Sequence, residues 1–175
     1  MAFRCPLWSP WGRHLLIVSQ LKGTEIKLLE KLLNHQFSDL NLLQEAVTHS
    51  SVAGRNYERL EFLGDRVLGL VLAEFFYANC PDEDEGELSL RLHAVARQSS
   101  LAVVAQKLKI ASVIRVQSGM DVAANESVLS DVMESLIAAL FLDAGLMAVK
   151  AFVFANWALD LEVVSKAGKD AKSRL

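Results

Sequence analysis

Apolar residues recur along this chain at helical rather than strand spacing, and capping and breaking residues divide the pattern into segments. Thr24 is placed to cap a helix that runs to about Leu33. Ser38 can cap a second, with Leu40, Leu42, Leu43 and Val47 on its apolar face. The span from about Tyr57 to Tyr77 reads as one long helix, apolar on most sides, which Cys80-Pro81 ends. The acidic run Asp82-Glu83-Asp84-Glu85, closed by Gly86, leads into a helix from Leu88 to about Ala96. Ser99 or Ser100 can cap the next, through Leu108. After a short Ser112–Val116 stretch and the polar loop Gln117–Glu126, Asn125 or Ser127 opens a helix through Leu142, with Gly145 as its C-cap. An amphipathic segment follows from about Leu146 to Val164. The expected fold is all-α, with about seven helices and no internal repeat.

Composition agrees with that pattern. The chain has 175 residues, 52% of them hydrophobic and 22% charged, enough to bury a core and too apolar for general disorder. Only 9 Gly and 3 Pro interrupt it, which favours helices over a turn-rich sandwich. The formal charge of −3 excludes a generally basic coat, so contact with nucleic acid would need local patches or metal ions. Cys5 and Cys80 make neither a disulfide framework nor a zinc site, and are expected to be reduced thiols in a cytoplasmic protein. No apolar run reaches the ~18 residues of a membrane span. Residues 1–20 carry no interpretable pattern, residues 21–164 hold the periodic segments, and 165–175 is a polar, basic tail.

The chemistry lies in the acids. Glu58, Glu61 and Asp65 fall at i, i+3 and i+7 on the long helix, within about 60° of one another at ~100° per residue, so they form one ridge. Asp131 and Glu134 fall at i and i+3 on another helix whose other residues are apolar. Burying ionised carboxylates without partners costs several kcal/mol at least. A divalent cation between the two ridges answers that cost, since Mg²⁺ takes hard oxygen ligands, and paired ions can activate a water against a phosphodiester. The competing explanation is structural: Arg59 and Arg66 share a face and can pair with these acids. It loses ground at the second ridge, where no Lys or Arg lies between Glu126 and Lys150.

The run Asn56-Tyr57-Glu58-Arg59-Leu60-Glu61-Phe62-Leu63-Gly64-Asp65 closely resembles the signature of the ribonuclease III family. Thr48-His49-Ser50-Ser51 resembles that family's T-H-x-S segment, Asp84-Glu85-Gly86-Glu87 its acidic-glycine helix start, and Val128–Ala139 its second acid-bearing helix. The four matches come in the family's order, over roughly Leu29 to Leu161.

The resemblance implies a homodimeric, all-α endonuclease domain that hydrolyses double-stranded RNA with Mg²⁺ (or Mn²⁺ in its place), leaving 5′-phosphate and 3′-hydroxyl ends. Ribosomal RNA precursors are the family's usual substrates. By position, Glu61, Asp65, Asp131 and Glu134 would form the metal cluster, Asp65 and Glu134 would be catalytic, and Glu58 and Glu85 would support them. Family members usually continue into a double-stranded-RNA-binding domain, and residues 165–175 resemble the start of that linker, with no such domain in this chain. The loop Gln117–Glu126, often basic in the family, has no Lys or Arg here, and Ser130 and Ser135 stand where alanine is common.

Two alternatives remain at this level: a dimer that binds duplex RNA but cleaves little, and an all-α nucleotide pyrophosphatase. Arg91, His93 and Arg97 are candidates for phosphate contact, against a merely solvated face. His49 is expected in a structural hydrogen bond, and Phe62, Phe75, Phe76 and Tyr77 in core or dimer contacts.

Overall fold

The structure, a computed structural model, describes residues 20–117, 121–157 and 161. Cys5 and the rest of 1–19, residues 118–120 of the polar loop, and the tail 165–175 lie outside the described residues. The helices are α1 (Gly23–Leu33), α2 (Leu40–Ala46), α3 (Glu58–Asn79), α4 (Glu85–Ala96), α5 (Gln98–Lys107) and α6 (Glu126–Ala144), with a 3₁₀ turn at Ile110–Val113 before α6. Helix also covers 146–157. The fold is all-α. The one ladder contact among the described residues is a parallel bridge between Thr48 and Arg115.

Helix α6 is the axis of the core. Leu129, Val132, Met133, Leu136, Ile137 and Leu140 are fully enclosed, as its apolar residues on every side require. Helix α3 makes the most extensive packing against it, and α5 and α2 close the other sides. The buried face of α3 is Leu60, Gly64, Val67, Leu68, Val71, Leu72 and Phe76. Its opposite face leaves Phe62 68% and Tyr77 76% exposed, with Leu70 also open. Of the expected aromatic set, only Phe76 is core. Phe75 is half-buried between Phe76 and Phe154.

Each expected helix is present, with shifted starts. Asp39 rather than Ser38 caps α2, accepting from the Asn41 amide. Helix α1 begins at Gly23, ahead of Thr24. Helix α4 starts three residues before Leu88, because Asp84 and Glu87 form a reciprocal capping box. Asn125 caps α6, and Gly145 ends it at φ +79°, a conformation glycine adopts without strain.

Two residues of α6 fix the frame through long-range contacts. At the C-terminal end of α6, Asp143 accepts from the amides of Ser38 and Asp39 and pairs with His35 at 2.7 Å, so one carboxylate ties down the α1–α2 loop. In the middle of α6 the enclosed Ser135 hydroxyl donates to the Ala46 carbonyl at the end of α2. Arg91 corrects its expected role. It is buried and clasps Glu83 through two guanidinium nitrogens, so it fastens the acidic loop to α4 and is not presented to a phosphate. His93 and Arg97 are exposed.

Candidate functional site

Helices α3 and α6 meet at Gly64. A Cβ placed there would lie 1.8 Å from the carbonyl oxygen of Glu134 and 2.4 Å from its carbonyl carbon. No side chain fits, and the missing one lets the two backbones touch. The glycine of the signature thus sets the distance between the two acid ridges.

At this crossing Glu61 of α3 faces Asp131 and Glu134 of α6. One carboxylate oxygen from each lies within 4.8 Å of the other two, and all three residues are half-buried. Asp65 is not in this group. It is half-buried one turn further along α3 and pairs with Arg66 at 2.8 Å. Glu58 is exposed at the start of α3. Glu85, exposed in the first turn of α4, accepts from the Ser89 hydroxyl. Three of the six expected acids are therefore gathered, and three stand around or apart from them.

The electrostatics are those of crowded like charges. Burial, and then the charges of Asp65, Glu61 and Asp131, push the Glu134 carboxyl up to about 8, with Arg66 opposing them. Glu61 is raised by burial, Asp131, Glu58 and Asp65. Asp131 is raised by burial, against hydrogen bonds from Tyr57 and Ser130. The structural explanation offered by the arginines is met only in part, because Arg66 pairs with Asp65 and, among the described residues, no ion pair reaches Glu61, Asp131 or Glu134. Three oxygen ligands on two rigid helices, short of positive charge, suit a hard divalent cation.

Tyr57 and Gly64 complete the site, and neither stood out from the sequence. The Tyr57 hydroxyl donates to Asp131 Oδ2 at 3.3 Å. Its own acidity is suppressed, first by burial and then by Asp131, so it remains an O–H donor. His49 stands edge-on to the Tyr57 ring, and its Nδ1 accepts from the Ser51 amide, the structural bond expected of it. The Ser130 hydroxyl lies 2.9 Å from the Ser127 carbonyl within α6 and 3.4 Å from Asp131 Oδ1, so its single proton is shared between them.

Comparison with known proteins decides the family. Residues 39–161 match the model of the Ribonuclease-III-like family. The chain belongs to the ribonuclease III family. It is 43% identical over 148 residues to Ribonuclease 3 of Mesorhizobium japonicum, covering 81% of this chain and 67% of that protein. With Ribonuclease 3 of Bartonella henselae it shares 41% over 161 residues, 89% of this chain and 68% of the relative. With that of Brucella canis it shares 41% over 154 residues, 85% and 63% respectively. The chain thus spans about two thirds of the length of these relatives.

Two structures of the ribonuclease III nuclease domain from Campylobacter jejuni have the same fold. One, described as flexible in a region involved in dimer formation, has TM-score 0.70 at 34% identity over 76% of this chain and 99% of that one. The other has TM-score 0.67 at 35% identity, over 81% and 95%. The enzyme class expected from the signature holds: this is a ribonuclease III enzyme, a hydrolase and nuclease. No helix among its described residues is long and apolar enough to cross a membrane.

Proposed function

We propose that this ribonuclease III is a Mg²⁺-dependent endonuclease for double-stranded RNA, working as a homodimer in the cytoplasm on ribosomal RNA precursors and other structured RNAs. The observation that carries the reading is the convergence of Glu61, Asp131 and Glu134 at the Gly64 crossing, with too little positive charge from the protein to balance them. Residues 21–164 form the catalytic unit in this reading.

Glu61, Asp131 and Glu134 would hold the cation, with Asp65 as a fourth ligand once it turns from Arg66. Bound Mg²⁺ supplies Lewis acidity, acidifying a water and offsetting charge on the leaving oxygen; Mn²⁺ can substitute. Asp65 would help hold the attacking water. Glu134 would hold the cation together with Glu61 and Asp131. Water would add to phosphorus and lose a proton to solvent, the P–O3′ bond would break, and the 3′ oxygen would take a proton from a solvent water, leaving 5′-phosphate and 3′-hydroxyl ends. Glu58 adds negative potential beside Glu61. Glu85 supports the scissile strand from α4. Exposed Phe62, Leu70 and Tyr77, with the Arg66 guanidinium over the Phe62 ring, support a two-fold contact through α3.

The test is a long, end-labelled RNA duplex at low salt, with Mg²⁺ or Ca²⁺, beside Glu134→Ala. Short duplex products with Mg²⁺ alone, absent in the variant, are expected. Cleavage that persists in Glu134→Ala would overturn the site. A second reading is a duplex binder that cleaves little. A mobility shift with intact RNA under every condition would select it.

A further inference from the structure

We propose that Tyr57 is a positioning residue of the carboxylate site: its buried hydroxyl holds Asp131 in the orientation a divalent cation requires. The inference rests on the metal-dependent reading above. Tyr57 bridges both acid-bearing helices. Its carbonyl accepts from the Glu61 amide at 2.8 Å, which places it in the same first turn as one ligand. Its hydroxyl reaches Asp131, 74 residues later, on the other helix.

Only 4% of Tyr57 is exposed, so the phenol has little freedom to swing away. The T-H-x-S segment fixes it from behind. The Tyr57 amide donates to the Thr48 carbonyl at 2.9 Å, and the His49 ring lies edge-on at 5.5 Å between centroids. His49 is itself held, through the Ser51 amide on Nδ1 and through its own amide on the Arg115 carbonyl. With Nδ1 accepting, the neutral ring carries its hydrogen on Nε2. Residues 47–51 and 115 thus form a strap that presses the phenol onto Asp131.

The donor type matters. An aspartate has two rotatable side-chain bonds, and fixing them beforehand removes an ordering cost from ion binding. Partners that orient ligands in this way typically change metal affinity ~10–100-fold. A lysine or arginine in the same place would neutralise the site and compete with the cation. A phenol orients without adding charge, and with the Tyr57 hydroxyl on Oδ2 and the Ser130 hydroxyl on Oδ1 the carboxylate keeps about two of its roughly four lone-pair positions free.

The experiment compares wild type, Tyr57→Phe, Asp131→Asn and the double variant, each without RNA, by titrating Mn²⁺ and reading the free ion by electron paramagnetic resonance. Tyr57→Phe keeps the ring and its packing, and thermal unfolding in EDTA reads any effect on the fold separately. We expect affinity in Tyr57→Phe to fall ~10–100-fold, and no further loss when Tyr57→Phe is added to Asp131→Asn. On duplex RNA, the Mg²⁺ concentration for half-maximal rate should rise by the same factor, while kcat at saturating Mg²⁺ recovers. Equal Mn²⁺ titrations of wild type and Tyr57→Phe, or losses that simply add in the double variant, would overturn the positioning role and leave the metal site standing. A wild type that binds no Mn²⁺ overturns both.

Discussion

Helix α6 carries acids in its first half and at its C-terminal end, and the protein treats them in opposite ways. At the C-terminal end Asp143 receives an imidazole and two backbone amides. Burial alone would raise its carboxyl, but these hydrogen bonds outweigh it and hold the group below the usual carboxylate range. In the first half of the helix Asp131 receives only neutral hydroxyls, Glu134 faces further acids, no ion pair among the described residues reaches either, and both are raised. An acid that the fold satisfies is structural. Acids that the fold gathers and leaves short of positive charge are a site prepared for something else.

The strongest way to break the contrast is Gly64→Ala. The added carbon collides with the Glu134 backbone, so the α3–α6 crossing must open. We expect a stability loss at or above the ~1–3 kcal/mol typical of overpacking, together with loss of Mn²⁺ binding. Urea unfolding and ion titration measure the two, and a near-native midpoint would contradict the contact. Glu134→Gln comes next. Cleavage should drop by more than ~100-fold, beyond the loss a merely supporting residue gives. In EDTA the same variant should be more stable than wild type at pH 8 and above, because it removes a crowded charge.

Acidity separates the two groups of acids by sign. Glu134 is raised, so the folded protein keeps a proton that the unfolded chain has released. Its contribution without metal is therefore lost as pH rises from the ordinary glutamate range towards 8. Asp143 is lowered, so its contribution is present above the ordinary aspartate range and lost as pH falls through the folded value. Thermal midpoints in EDTA from pH 3 to 9 should show both slopes, with Glu134→Gln flattening the upper and Asp143→Asn the lower. Saturating Mn²⁺ should also flatten the upper slope, and an unchanged slope would count against the cluster as the ion's seat. The smallest expected effect on the site belongs to Asp143→Asn, which should cost ~1–3 kcal/mol in stability for its weakened bonds while Mn²⁺ affinity stays at the wild-type value.

The sequence disclosed the helices and the two ridges, because periodicity and acid spacing are local properties. It misplaced helix starts where two capping residues adjoin, as at Ser38 and Asp39, or where a capping box lies inside an acidic run, as at Asp84 and Glu87. It did not disclose pairings across the chain. Asp143 finds His35 from 108 residues away, and Arg91 reads as a free cation until Glu83 is seen folded onto it. Tyr57 next to an acid ridge looks like any half-apolar residue, since its acceptor lies on another helix. Asp65, spaced like Glu61, stays outside the gathered three because it turns to Arg66.

The contact at Gly64 also bears on which ions the protein can tolerate. The stop against α3 is the main chain of Glu134, one of the gathered acids, rather than a compressible side chain. The helices cannot draw closer, and they can part only by giving up the packing of the core axis. Any adjustment to ionic radius must come from rotation of the carboxylates alone. Ca²⁺ wants oxygens at ~2.3–2.6 Å and more of them, whereas Mg²⁺ wants ~2.0–2.1 Å in a strict octahedron. A gauge block set between two beams admits one size of bolt, and discrimination between these cations would then be a mechanical property of the helix crossing.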